Sequence, residues 1–332
     1  MFSLSQRGCA GALLDEQFLR SWHDGAAISQ SIVDTHTQYR RLEANKSLAY
    51  QILTEAGIAV PPSHKFSNIE QLKSLLHATP AVIKFDSQCV MGYQTCFWPG
   101  LDFTAANLPG HTGIVQQLVS GQEFTVTVAV GTKNWVPIGS AVDYKRRFNG
   151  HVGPNTFGMG SVAPCRYLPA GVDTVIDRVV DVLQARFRYQ GLLSCQFIAA
   201  PDQLWFLEYN TRICDPEFQS MAQRLDHSFV NTLRNLYHDR YLDVPNQLNV
   251  NAVTVSLIHQ DWPAAQSSRE LLSLSDTRFR IARMNGSWDA NTYWGTVTNS
   301  GTQCFTELAN QIYDFLRDRP CYPYTYRTDI GQ

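Results

Sequence analysis

Long apolar runs are missing. Nowhere do the 332 residues hold the roughly eighteen consecutive apolar side chains that a membrane-spanning helix needs, so no membrane partner is expected. A charge excess is missing as well: 27 Lys and Arg face 29 Asp and Glu, for a formal net charge of -2. That balance argues against a nucleic-acid partner, whose phosphates call for a basic surface. The eight cysteines, Cys9, Cys89, Cys96, Cys165, Cys195, Cys214, Cys304 and Cys321, include no Cys-x-x-Cys pair and no Cys/His cluster of zinc-finger spacing. Zinc is therefore unsupported, and reduced thiols in a cytoplasmic protein are expected rather than a disulfide framework. The N-terminus carries Arg7 and then Asp15 and Glu16 within a short apolar stretch, a poor secretory signal. No Ser/His/Asp or Cys/His catalytic constellation stands out, and there is no internal repeat.

What is present suffices for roughly two or three packed subdomains. Residues 1–44 show no opening βαβ unit with a glycine-rich turn. Asn45 can cap a helix that places Leu48, Ala49, Ile52, Leu53 and Ala56 on one face, with Gly57 closing it. An extended segment at 58–62, a helix at 69–77 and a strand at 81–86 complete a small subdomain, given the span 45–110. The block 111–245 is richer in strands. Residues 124–130 alternate, 131–134 read as a turn and 135–138 begin a return strand. A glycine-rich loop at 150–160, an amphipathic helix at 173–187, a hairpin of 192–199 with 204–210 and a helix at 217–237 follow. Residues 246–332 form a smaller mixed domain. The fold class is α/β (α+β).

Three stretches carry chemistry. In Leu204-Trp205-Phe206-Leu207-Glu208-Tyr209-Asn210-Thr211-Arg212, strand alternation puts Glu208 and Asn210 on one face, with Arg212 just past the strand. A carboxylate and an amide carbonyl are hard oxygen donors suited to Mg²⁺ bridging nucleotide phosphates. An adjacent arginine can balance charge on a transferred phosphoryl group. A polar strand face with a solvated Glu and an Arg ion pair explains the same spacing equally well. Asp143-Tyr144-Lys145-Arg146 precedes a loop bearing Gly150, Gly153, Gly158 and Gly160, whose backbone N–H groups can approach an anion. An ordinary hairpin loop has the same composition. Lys84, in an apolar strand, is either an edge residue facing water or a buried cation awaiting phosphate. Its place before the loop 87–92 favours phosphate.

In this order the segments resemble glycinamide ribonucleotide synthetase, the phosphoribosylamine–glycine ligase of purine synthesis and an ATP-grasp protein. The family's DHKR…GPNTGGMG is matched by Asp143 to Arg146 with 153–160, and its LEFNxRxGDPE by 207–217. The likeness runs from 46–53 through a hinge-like 115–123 to Arg327-Thr328-Asp329-Ile330-Gly331, similar to the family's RxDIG ending. The resemblance implies an ATP-grasp fold, two α+β subdomains clasping ATP plus a small C-terminal mixed domain. It also implies an enzyme that uses ATP and Mg²⁺ (or Mn²⁺) to form an amide bond through an acyl-phosphate. Glu208 and Asn210 would hold the metal, and Lys84 would contact the phosphates. Gln116, Gln117, Leu118 and Val119 would line the adenine, with Glu123 near the ribose. Arg212, Lys145 and Arg146 would be catalytic, stabilising the acyl-phosphate and the tetrahedral intermediate. Asn155, Thr156, Phe157, Gly158 and Asp215 would contact the substrate.

The chain also departs from the family. The N-terminal nucleotide-fold domain is missing or reduced to 1–44. Cys89-Val90-Met91-Gly92-Tyr93 stands where the family has a glycine- and lysine-bearing turn, and Gln116-Gln117 replaces an acidic pair. Phe157 replaces a glycine, which should reshape the carboxylate pocket, and Asp261-Trp262-Pro263 stands for Gly-Tyr-Pro. These departures favour a ligase of a specialised pathway, joining an amino acid to a non-purine amine. Glycine and phosphoribosylamine are the alternative substrates. A nucleotide-binding regulatory module without turnover is the alternative of another class, and a kinase that stops at phosphate transfer is a weaker one. The expected partners are a small-molecule carboxylate and amine, with the chain a monomer or homodimer.

Overall fold

The computed structural model describes residues 38–76, 79–86, 95–100, 108, 110–261, 274, 276–283, 293–319 and 323–332. Residues 38–44 are helical, and helix α1 (Lys46–Glu55) follows at once. The Asn45 side chain starts α1 by accepting the Leu48 N–H at 2.7 Å, and Ala49, Ile52 and Leu53 form its buried face. Asn68 caps α2 (Ile69–Leu75) in the same way. Strands β1 (Ser63–Phe66), β2 (Ala81–Phe85), β3 (Thr95–Trp98) and β4 (Gly113–Gln117) make a small sheet in the order β1-β4-β2-β3. Phe66, Leu72, Ile83, Phe85 and Val115 are its apolar core. β4, which lies beyond residue 110, pairs with β1 and β2 of this small sheet.

The larger sheet contains β5 (Gln122–Val130), β6 (Trp135–Asp143), β9 (Gly160–Ala163), β10 (Gly191–Ala199), β11 (Leu204–Asn210), β12 (Asn251–His259), β13 (Arg280–Arg283), β14 (Tyr293–Gly301) and β15 (Tyr324–Thr325). Its order is β11-β10-β5-β6-β9-β12-β14-β13, with β15 on β12. β7 (Arg146–Phe148) and β8 (Val152–Asn155) pair separately as a ribbon. The expected turn closes with Gly131 N–H on Asn134 O at 2.9 Å. Residues beyond 246 continue the main sheet through the β9–β12 pair rather than building a sheet of their own.

Helix α3 (Val172–Phe187) buries Ile176, Val179, Val180 and Leu183 against Phe124, Val126, Leu193 and Phe197. Each such side chain contributes roughly 1.5–3 kcal/mol. Tyr39 and Leu42 of the first helical segment join this cluster, and Tyr39 OH donates to Arg188 O at 2.9 Å. The helix expected over 217–237 is two, α4 (Glu217–Ala222) and α5 (Ser228–Tyr237). Asp226 Oδ1 accepts the Ser228 N–H at 2.7 Å, so α5 starts afresh there. Helix α6 (Phe305–Arg317) packs on β12 and β14 over the C-terminal core. Among the described residues, no helix is long and apolar enough to cross a membrane, and Cys96, Cys165, Cys195, Cys214 and Cys304 are free thiols.

Candidate active site

Strand register assembles the site. Gln196 on β10 lies opposite both Thr125 on β5 and Glu208 on β11, and Ser194 lies opposite Thr127 and Asn210. Directly opposite residues project to one face, so Thr125, Gln196 and Glu208 form one row and Thr127, Ser194 and Asn210 the next. Ala141 pairs with Thr125, which brings Asp143, two residues on, to the same face at the end of β6. Glu208 and Asn210 thus share a face as the alternation of the sequence indicated.

At one end of this face the small sheet and helix α1 each contribute a cation. Lys84 is only 6% exposed, and its Nζ donates to Leu207 O at 3.2 Å. Lys46, the first residue of α1, pairs with Glu208 Oε2 at 3.0 Å. Burial pushes the Lys84 ammonium down to about 8, with Lys46 and Lys145 adding to that and Glu208 opposing it. Burial alone would raise the Glu208 pKa, but Lys46, Lys84 and Lys145 outweigh it and hold the carboxyl well below the usual range. Asn210 Nδ2 donates to Cys214 Sγ at 3.2 Å, which leaves the carbonyl end of the amide for a cation.

The other end is acidic. Lys145 Nζ donates to Gln196 Oε1 at 2.5 Å and faces Glu123 Oε2 at 3.8 Å. Burial would lower the Lys145 pKa, yet Glu123, Asp143, Glu208 and Glu217 raise it above the normal lysine value, and it stays charged. Glu217, the first residue of α4, accepts from Thr125 Oγ1 at 3.2 Å. Burial raises both the Asp143 and the Glu217 carboxyls, and their mutual repulsion raises Asp143 further. Burial likewise pushes Asp215 up to about 6, opposed by Gln219 Nε2 donating at 3.0 Å.

The remaining expected residues take varied places. Arg212 is paired: Nη2 and Nε lie 2.9 and 3.2 Å from Glu43 Oε1, and Thr211 N–H reaches Glu43 Oε2 at 3.3 Å. Arg146 stacks 3.6 Å from the Phe97 ring centroid and donates to Gly153 O at 2.7 Å. Gln116 is buried in the small sheet, where its Nε2 donates to Ser63 Oγ at 3.1 Å. Gln117, the last residue of β4, is exposed; Leu118, exposed, and Val119, half-buried, lie on the connection from β4 to β5. Thr156 fastens its loop to Lys145 O through N–H and Oγ1, at 2.8 and 2.9 Å, and Asn155 pairs with Arg146. Gly158 has φ +134°, and a Cβ there would stand 2.3 Å from Pro216 Cδ. Phe157 is half-buried, and its ring packs against the C-terminal apolar cluster that Tyr144 also borders.

Sequence reasoning missed Lys46, Glu43 and Gln196. Lys46 left a signal: a cation in the first helical turn opposes the macrodipole and calls for a carboxylate or phosphate in compensation. Glu43 and Gln196 left none. The C-terminal Arg327-to-Gly331 segment frames the loop that carries Lys145. Arg327 Nη1 donates to Arg146 O at 3.0 Å, and Asp329 Oδ2 accepts the Gly150 N–H at 2.8 Å. The loop at 89–93 and the Trp262-Pro263 pair lie outside the described residues. Among the described residues no group of three His, Cys, Asp or Glu side chains is arranged to hold a metal. A cation at Glu208 and Asn210 would therefore draw its other ligands from phosphate or water, the usual manner of Mg²⁺.

Residues 104–218 match the family described as phosphoribosylglycinamide synthetase, ATP-grasp (A) domain. A phosphoribosylamine–glycine ligase of Streptococcus pneumoniae is 28% identical over 336 aligned residues, covering 87% of this chain and 75% of that one. The crystal structure of the phosphoribosylamine–glycine ligase of Thermotoga maritima superposes with a TM-score of 0.69 at 20% identity, covering 87% of this chain and 79% of that one. A biotin carboxylase from Campylobacter jejuni gives a TM-score of 0.61 at 13% identity, covering 89% and 69%. The chain carries the ATP-grasp fold, and its resemblance to phosphoribosylamine–glycine ligases spans most of its length.

Proposed function

We propose that this chain is an ATP- and Mg²⁺-dependent carboxylate–amine ligase whose substrates are glycine and phosphoribosylamine. The observation that carries the ligase reading is the convergence of Lys46, Lys84 and Lys145 on Glu208, beside Asn210. Lys46 and Lys84 against one carboxylate leave a buried positive excess, which a polyphosphate would balance. Glu208 and the Asn210 carbonyl would hold Mg²⁺. When bound, the metal would draw charge from the oxygens of the transferred phosphoryl group. Lys145 stays charged and can oppose the negative charge that builds up on the acyl centre. Arg212, fixed by Glu43, supplies a second positive group of set orientation. Positioning and electrostatics would account for most of the rate, so no nucleophilic side chain is needed.

The choice of substrates rests on the name that the similar ligases share. A non-purine amine in a specialised pathway draws its support from Phe157, whose half-buried ring packs against the C-terminal cluster. The deciding assay mixes the protein with ATP, Mg²⁺, glycine and phosphoribosylamine and follows ADP and glycinamide ribonucleotide together. Stoichiometric formation of both is expected. ADP release with some other amine and none with phosphoribosylamine would overturn the substrate assignment. Tight ATP binding with no turnover in any pairing would favour the regulatory module.

A further inference from the structure

One buried thiol sits where two amides of the site meet. Cys214, between the end of β11 and α4, is 3% exposed. Its Sγ accepts Asn210 Nδ2 at 3.2 Å and, in a longer contact, Gln196 Nε2 at 3.8 Å. Ser194 Oγ accepts the Cys214 N–H at 3.3 Å and itself donates to Arg212 O at 3.0 Å. The backbone that carries the thiol is therefore tied to β10, the strand that also carries Gln196. In the family motif that 207–217 matches, this position is glycine, which offers neither amide a partner.

The two ends of a side-chain amide are nearly equal in size, so its partners decide which end faces which way. Lys145 settles Gln196: its ammonium has donors alone, so it takes Oε1 at 2.5 Å and turns Nε2 toward the sulfur. At Asn210 the sulfur acts as the acceptor for Nδ2, and the carbonyl is left to face a cation. Turned round, Asn210 would aim two N–H donors at the metal, which would repel it. One sulfur thus serves two amides that each present oxygen to positive charge. The competing explanation is that the thiol only fills space beneath the strand end.

We propose that Cys214 is a positioning residue: it turns the Asn210 carbonyl toward the metal and the Gln196 carbonyl toward Lys145, and so sets how much Mg²⁺ this chain requires. The proposal rests on the ligase reading and deepens it by naming the residue that orients a metal-holding side chain. The test is calorimetric titration of the full chain with the non-hydrolysable analogue adenylyl imidodiphosphate at a series of free Mg²⁺ concentrations. In the wild type the affinity should rise with Mg²⁺. Cys214→Ala should need roughly three- to tenfold more Mg²⁺ for half of that rise, the effect of one lost hydrogen bond. Affinity without Mg²⁺ should change less than about twofold, because Glu208 and Leu207, not the sulfur, hold Lys46 and Lys84. Cys214→Ser keeps an acceptor at the same place and should stay within about twofold of the wild type throughout. Cys214→Gly replaces Cys214→Ala should the latter fail to fold, as judged by near-ultraviolet circular dichroism. A wild-type Mg²⁺ requirement in folded Cys214→Ala or Cys214→Gly would overturn the proposal, and so would equal losses in the serine and alanine variants, which would make the thiol a space-filling group. Those results leave the ligase reading intact. Analogue binding that ignores Mg²⁺ in the wild type itself would instead sink the metal reading and this role of Cys214 together.

Discussion

At the small-sheet end of the site Lys46 and Lys84 outnumber Glu208, whereas at the loop end Asp143, Glu217 and Glu123 outnumber Lys145. Lys84 at one end and Asp143 and Glu217 at the other are buried, yet burial acts on them in opposite senses. It lowers the pKa of a lysine at one end and raises those of carboxyls at the other. Each end therefore stores an electrostatic cost that a ligand of opposite charge would relieve. A polyphosphate with its metal would suit the first.

The largest effect is expected from removing the carboxylate on which the cations converge. Glu208→Gln should leave Lys46, Lys84 and Lys145 without their common counter-charge and Mg²⁺ without its one carboxylate. Turnover should fall by more than about a hundredfold, an effect of roughly 3 kcal/mol or more, with far-ultraviolet circular dichroism unchanged. Unaltered turnover in a folded variant would remove the first end from the chemistry. Next in size is Lys84→Ala, which takes away one of the charges proposed to meet phosphate. ATP affinity should weaken by about 1–3 kcal/mol in calorimetry. Equal affinities would make Lys84 a residue that serves only its bond to Leu207.

The opposite end should respond with the opposite sign in stability. Asp143→Asn removes one of two repelling buried carboxylates. With a native pKa above that of the unfolded chain, Asp143 binds more protons folded than unfolded, so its contribution falls as pH rises above the usual carboxylate range. At pH 7.5 the variant should therefore unfold at higher urea, by about 1 kcal/mol, while losing activity. A loss of stability together with activity would mean that Asp143 is a structural acceptor.

How much of this was legible in the sequence divides along the same line. Glu208 and Asn210 were visible because strand alternation is a local rule, and the strand that carries them formed as expected. The hairpin with β10 and the Asn45 cap were legible for the same reason. Glu43 and Gln196 were not, because each owes its place to register and packing across long separations: Glu43 meets a residue 169 positions away. For Phe157 the sequence showed that a surface of the motif changed but not which way the ring turns. The helix expected at 217–237 is interrupted at Asp226, whose side chain accepts the Ser228 N–H in a local turn.

The smallest effect concerns pH, and it isolates Lys84 without altering the protein. Burial puts its native pKa at about 8, against 10.5 for a solvated lysine side chain. The unfolded chain thus keeps the proton over a window in which the native state gives it up. The cost of burying a charged lysine is fully present below about pH 8, and stability from this group rises as pH climbs from about 8 to about 10.5. Phosphate binding runs the other way, because it needs the charged form. Between pH 7 and 8.5 the charged fraction of the free protein falls enough to weaken ATP binding about fourfold, if the bound state keeps the proton. Lys145, raised rather than lowered by its carboxylate neighbours, does not titrate in that interval. Lys84→Arg should bind ATP with an affinity flat over the same range, since a guanidinium stays charged throughout. The same slope in Lys84→Arg as in the wild type would assign the pH dependence to another group and take Lys84 out of the phosphate end.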